Sequence, residues 1–171
     1  FENCTFIRGK HEGGALIKTG SNCVILGNVK INGDKNNYVA NNEVGIEFGS
    51  DNLVYAHVES YNNGRHGIML GSNTYANCLI AHDNGVEGTI QADGVYIRNA
   101  NDTIIEHCKT YNNTRIGLTV TTYDESTGAM NKELSKNINV KSAISYDNGY
   151  IDIDFEGIQD ARLSNVRGNG K

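Results

Sequence analysis

The chain of 171 residues contains no proline, no tryptophan and only 2 methionines. Without proline, its glycine does not read as part of a disordered tract, because such tracts usually bring Pro or Ser with them. Basic residues are also scarce: 15 Lys and Arg stand against 20 Asp and Glu, a formal net charge of −5, so nucleic acid is not an expected partner. No apolar run approaches the ~20 residues of a membrane-crossing helix, and no signal-type segment opens the sequence, so no membrane partner is expected. The 4 cysteines, Cys4, Cys23, Cys78 and Cys108, form no CxxC pair and no zinc-type spacing with histidine. All four fall in strand-like runs and read as buried free thiols rather than a disulfide framework.

What the sequence has in abundance is asparagine and glycine, 24 and 20 residues, placed at regular intervals between apolar residues. That placement marks turns and excludes a helical protein. Four segments align from an Asx residue to a Gly or Thr 12 residues later: Asn52 to Gly64, Asn73 to Gly85, Asp102 to Thr114 and Asn137 to Gly149. In each, an aromatic or histidine (Tyr61, His82, Tyr111, Tyr146) precedes an Asx pair. A short apolar run follows, usually opened by glycine, as at Gly45, Gly67, Gly94 and Gly117. The shortest period is 21 residues; periods of 29 and 35 carry their excess in the polar stretches 86–93 and 121–136.

Each period holds two or three strands too short to form a core alone, but stacked copies bury one continuous interior. Stacking at ~4.8 Å per strand predicts ladders, with Ile46, Ile68, Val95 and Leu118 in one and Phe48, Leu70, Ile97 and Val120 in another. A leucine-rich repeat is excluded, since its leucine frame and any helical period are missing. The predicted fold is all-β, a right-handed parallel β-helix: a single-stranded solenoid of about six or seven rungs forming one domain over residues 1–171. The chain opens inside a rung at Phe1 and stops after a turn at Lys171 without a capping helix. It therefore reads as a fragment of a longer β-helix, its ends uncapped or covered by neighbours.

Alternation along the Gly-opened strands predicts an outward column of Leu16, Glu47, Met69, Tyr96, Thr119 and Asp152, and a second of Lys18, Arg98, Thr121 and Asp154. Arg65, His66, Asp93 and Arg115 come just ahead of the glycines, and the two polar insertions leave the stack beside this face as potential groove walls. His66 and Asp93 are expected one strand spacing apart, with Tyr96 and Arg65 beside them. Residue type alone would leave His66 in a solvated turn. Convergence instead suggests proton abstraction next to a carboxylate. Arg65, or a protonated or metal-bound carboxylate such as Asp93, neutralises the sugar carboxylate; His66 or Tyr96 takes the C5 proton, and the other returns one or protonates the leaving oxygen. Glu47, Arg98 and Tyr123 are the candidate substrate-binding residues. No cofactor is required by this chemistry; Ca²⁺ is an option at Asp152 and Asp154, with Asp147 and Glu156 near in sequence, against a solvated acidic edge.

Three resemblances bear on this face. The Asx-Gly and Gly-apolar pattern resembles the pectate-lyase-like β-helix superfamily over nearly the whole chain. Ser60-Tyr-Asn-Asn-Gly-Arg-His-Gly-Ile68 resembles a rung of mannuronan C5-epimerases, as does Ala81-His-Asp-Asn-Gly-Val-Glu-Gly88. The resemblance of Ser60–Ile68 to the epimerase rung implies active-site roles for Arg65 and His66, and for these two only. The epimerases' Tyr-Gly-Phe-Asp-Pro-His segment is absent here. His66-Gly-Ile-Met-Leu-Gly-Ser72 also echoes polygalacturonase-type hydrolases, but these need clustered aspartates and the chain has no Asp-Asp pair.

Two functions remain in play. One is a lyase or C5-epimerase acting on an acidic uronate polysaccharide, where Lys18, Arg65, Arg98 and Arg115 offset the negative net charge. The other is a non-catalytic glycan-binding or structural shaft, of the viral tailspike or surface-adhesin kind, assembled as a homotrimer through outer apolar residues such as Leu16 and Met69. Either places the protein outside the cell or on a virion or cell surface.

Overall fold

The computed structural model describes residues 1–8, 14–35, 43–87, 91–123 and 135–169, and among these there is no helix. The strands in chain order are β1 (Glu2–Ile7), β2 (Gly14–Lys18), β3 (Val24–Asn32), β4 (Glu43–Glu47), β5 (Leu53–Tyr61), β6 (Ile68–Leu70), β7 (Tyr75–His82), β8 (Val95–Arg98), β9 (Ile104–Tyr111), β10 (Ile116–Thr121), β11 (Asn139–Val140), β12 (Ala143–Tyr146), β13 (Ile151–Glu156), β14 (Arg162–Leu163) and β15 (Val166–Asn169). A nine-stranded sheet runs β1-β3-β5-β7-β9-β11-β14, with β12 on β9 and β15 on β12; a six-stranded sheet runs β13-β10-β8-β6-β4-β2. Up to β11 the chain alternates between the sheets, and every pairing between these strands is parallel. This is the all-β, parallel, solenoid-like arrangement that the repeat predicts.

The predicted ladders are present. Ile46, Ile68, Val95 and Leu118 stand in register and are fully buried. The facing sheet contributes Val58, Leu79, Cys108 and Ala143 in another register column. Removing each large aliphatic side chain from water contributes about 1.5–3 kcal/mol, and both sheets aim theirs into one shared core.

The Asx pair divides two tasks. Its first member takes the left-handed backbone of the turn, with φ of 56° at Asn62, 54° at Asp83, 52° at Asn112 and 54° at Asp147; Asx tolerates this conformation better than other L-residues. The second member is buried and bonds to its counterpart one rung on. Asn63 Nδ2 donates to Asn84 Oδ1 at 2.8 Å, Asn84 Nδ2 to Asn113 Oδ1 at 2.9 Å and Asn113 Nδ2 to Asn148 Oδ1 at 2.9 Å. The repeated glycine makes room for this ladder: a Cβ at Gly67 would lie 2.6 Å from Asn84 Nδ2, and one at Gly94 would lie 2.6 Å from Asn113 Nδ2. Outside the turn, Tyr61, His82, Tyr111 and Tyr146 stack with centroids 5.1, 4.6 and 5.2 Å apart.

Three expectations are corrected. The gapless alignment fails between β5 and β7, where Val54 pairs with Ala76 but His57 pairs with Cys78. This bulge absorbs one residue and sets Leu53 opposite Tyr75. The outward column is displaced at both ends: Lys18 pairs with Glu47 and Asp154 with Thr119. It therefore reads Lys18, Glu47, Met69, Tyr96, Thr119, Asp154, while Leu16 packs against the core instead. Finally, all four cysteines are free, but only Cys108 is buried; Cys4, Cys23 and Cys78 are half-buried.

Candidate functional site

The site lies on the outer face of the six-stranded sheet, where β6, β8, β10 and β13 run side by side. The residue before each strand-opening glycine is held by backbone bonds between rungs: Gly67 N–H donates to Asp93 O at 3.0 Å and Gly94 N–H to Ile116 O at 2.9 Å. That register brings His66 next to Asp93. The Asp93 amide N–H donates to His66 Nδ1 at 3.2 Å, and the nearest carboxylate oxygen, Oδ2, lies 3.7 Å from the same nitrogen. Tyr96 stacks on the imidazole at a centroid distance of 4.3 Å and an interplanar angle of 10°. Arg115 reaches Asp93 with Nη1, 3.4 Å from Oδ1 and 3.5 Å from Oδ2.

The structure thus brings together three of the four residues predicted to converge, but in a different setting. His66 is completely buried rather than solvated, because the Tyr96 ring covers it from the next rung. With Nδ1 accepting the Asp93 amide, the neutral imidazole carries its proton on Nε2, which is buried and has no hydrogen-bond partner. Burial, and then the positive charges of Arg65, Arg115 and Arg98, hold the His66 pKa well below the usual histidine value. Asp93 is also fully buried; loss of water pushes its carboxyl up to about 6 despite the opposing pull of Arg115. Burial raises the Tyr96 phenol as well, against the pull of Arg98. Arg65 is half-buried; its N–H bonds to Glu43 O at 2.8 Å.

In front of this stack lies a shallow cleft of about 190 Å³ whose lining includes Tyr96, Arg98, Arg115, Thr119, Tyr123 and Asp154. A second trough of about 210 Å³ is lined by Glu47, Met69 and Gly71 among others, and shares Arg98 with the first. All three predicted substrate-binding residues therefore line one surface. Glu47 pairs with Lys18 at 2.8 Å. Tyr123 is held through its backbone, its N–H donating to Asn99 Oδ1 at 2.8 Å and its carbonyl accepting from Asn99 Nδ2 at 2.7 Å. The rest of the predicted groove walls, 88–90 and 124–134, lies outside the described residues.

The two candidate Ca²⁺ ligands are separated. Asp152 occupies the place of the strand-opening glycine, one position beyond the Ile116↔Ile151 pair, and turns into the corner. There it accepts from Asn148 Nδ2 at 2.8 Å and from Asn169 N–H at 2.8 Å, ending the asparagine ladder. Asp154 lines the cleft instead. From sequence Arg115 is placed on this face only as a cation that offsets the negative net charge, and Thr119 only in the outward column, neither with a catalytic or substrate-binding role. Register holds the signal for both, since Thr119 pairs with Tyr96 and Arg115 N–H bonds to Ala92 O beside Asp93.

The chain matches no protein-family model, no curated protein and no solved structure.

Proposed function

We propose that the chain is a right-handed parallel β-helix of the pectate-lyase-like kind, outside the cell or on a virion or cell surface, whose six-stranded face binds an acidic polysaccharide. Right-handedness is what parallel crossover connections within one sheet adopt almost without exception. The observation that carries the binding reading is the pair of guanidinium groups, Arg98 and Arg115, in one cleft with the aromatic residues Tyr96 and Tyr123. Guanidinium forks suit carboxylates, and aromatic rings suit the apolar faces of sugar rings. Binding to polymannuronate, polyguluronate and pectate, measured by calorimetry against a neutral dextran, is expected to weaken about tenfold in Arg98→Ala and to fall with added salt. If none of the anionic polymers binds, or dextran binds equally well, the proposal fails.

A lyase or C5-epimerase is the second reading, favoured by the burial of His66, Asp93 and Tyr96 in one stack against the cleft. In it the arginines neutralise the uronate carboxylate, and Tyr96, the member of the stack that lines the cleft, first loses its phenol proton to solvent. As phenolate it takes the C5 proton and, in a lyase step, passes it to the leaving oxygen; in an epimerase step solvent reprotonates C5 from the opposite face. His66 lies behind Tyr96 as a positioning residue. In deuterated water this reading requires unsaturated products or deuterium at C5, lost in Tyr96→Phe while polymer binding persists. Binding without either product leaves a glycan-binding shaft.

A further inference from the structure

The outer face of the nine-stranded sheet carries a second cluster of chemistry-bearing residues. Cys78 on β7 pairs in register with His57 on β5 and with His107 on β9. Both histidines are exposed and Cys78 is half-exposed. Register neighbours on one face of a parallel sheet stand ~4.8 Å apart, so the thiol is flanked by an imidazole on each side. Cys78 Sγ already lies 3.9 Å from His57 Nδ1. In a tetrahedral zinc site with Zn–S of ~2.3 Å and Zn–N of ~2.0 Å, the sulfur and nitrogen are about 3.6 Å apart. A few tenths of an ångström separate the two arrangements.

We propose that His57, Cys78 and His107 form a Zn²⁺ site, one thiolate between two imidazoles with a fourth position left to water. Thiolate with imidazole is a donor set suited to zinc, whereas hard oxygen-seeking cations such as Ca²⁺ and Mg²⁺ avoid it. Among the described residues no three His, Cys, Asp or Glu side chains already surround one point. The exposed His57 and His107 rings therefore swing about their side-chain bonds to close on the sulfur. Forming the Zn–S bond breaks the S–H bond and releases one proton to solvent. Because the metal displaces the thiol proton, affinity rises with pH. Cys108 takes no part, since it faces the core and burial pushes its thiol up to about 12.

Cobalt(II) tests the site, because a tetrahedral thiolate complex absorbs in the visible and shows sulfur-to-cobalt charge transfer in the near ultraviolet. Titrating Co²⁺ into the full chain, kept reduced by a non-thiol agent, is expected to give both features at one ion per chain, bleached by Zn²⁺. Cys78→Ser abolishes the charge-transfer band. His57→Ala and His107→Ala each weaken binding by about tenfold or more, at least the loss that outer-shell partners cause. Cys23→Ser changes nothing, and circular dichroism confirms that each variant is folded. No saturable spectrum, a band that survives Cys78→Ser, or affinity untouched by either histidine substitution would overturn the proposal.

Discussion

Asp93 is a carboxyl group kept from water on a rung where its neighbours are an imidazole, a phenol and a single guanidinium. Its folded-state pKa is pushed up from 3.8 to about 6, so the folded chain keeps a proton that the unfolded chain releases between these values. The contribution of Asp93 to stability therefore falls as pH rises from about 4 to about 6 and levels off above that. At ~1.4 kcal/mol per unit, the loss approaches ~3 kcal/mol. Buried His66, its pKa held low, works in the opposite direction, so the difference between the parent and a variant at Asp93 isolates the carboxyl. Asp93→Asn has nearly the same shape and no charge to bury, so its urea midpoint should exceed that of the parent at about pH 7.5 and match it near pH 4. Parallel pH profiles for the two proteins would mean that Arg115 compensates the buried carboxylate fully. The arginine is 35% exposed, and water screens a pair at that depth too well for full compensation.

At the scale of the element, the asparagine ladder and the glycine column are one device. Asn84 lies at its centre, accepting from Asn63 Nδ2 and donating to Asn113 Oδ1. Asn84→Ala removes four hydrogen bonds in a dry corner, those to Asn63 N–H, Asn63 Nδ2, Ser60 O and Asn113 Oδ1. At about 0.5–1.5 kcal/mol each, their loss costs about 2–6 kcal/mol together. Asn77→Ala, exposed on β7, the strand that leads into this turn, should stay within about 0.5 kcal/mol. Chemical denaturation of the pair measures the contrast; equal losses would show that the ladder contributes no more than any surface asparagine. The ladder's turns were legible in the sequence because each Asx pair and each glycine recurs where backbone geometry demands it. The outward face was less legible at the terminal rungs. Counting from the nearest glycine puts Gly14 level with Gly45, whereas Gly14 pairs with Glu43 and Leu16 falls two residues short of the true column. At the other end Asp152 replaces the glycine, so the marker that sets the count is gone. The burial of His66 had no local signal at all, because its cover, Tyr96, comes from the next rung. Convergence of His66, Asp93 and Tyr96 was readable from register; the exclusion of solvent from two of them was not.

At the scale of the whole molecule, strands touch the rungs before and after them, and stability follows position in the stack rather than strand length. β10 is buried at all six of its positions, whereas β14 is exposed at both of its residues and β15 at three of four. β1 is exposed at four of six positions although it is as long as β10. Local opening should therefore run inward from the ends, with amide exchange fastest in β1, β14 and β15 and slowest in β5, β7, β9 and β10. Hydrogen–deuterium exchange read peptide by peptide gives this order directly, and uniform protection along the chain would indicate one all-or-none unit instead. The gradient has a functional consequence. Tyr96, Arg98, Arg115 and Thr119 belong to the middle rungs, so the cleft rests on the part of the stack that opens least and its groups are held in place before any ligand arrives. If β8 and β10 exchanged as readily as β1, the two arginines would have to be ordered by the polymer itself. Each would then cost about 0.5–1.5 kcal/mol of binding free energy. The groove proposed here has its guanidinium groups fixed in advance, and it stands or falls with slow exchange in those two strands.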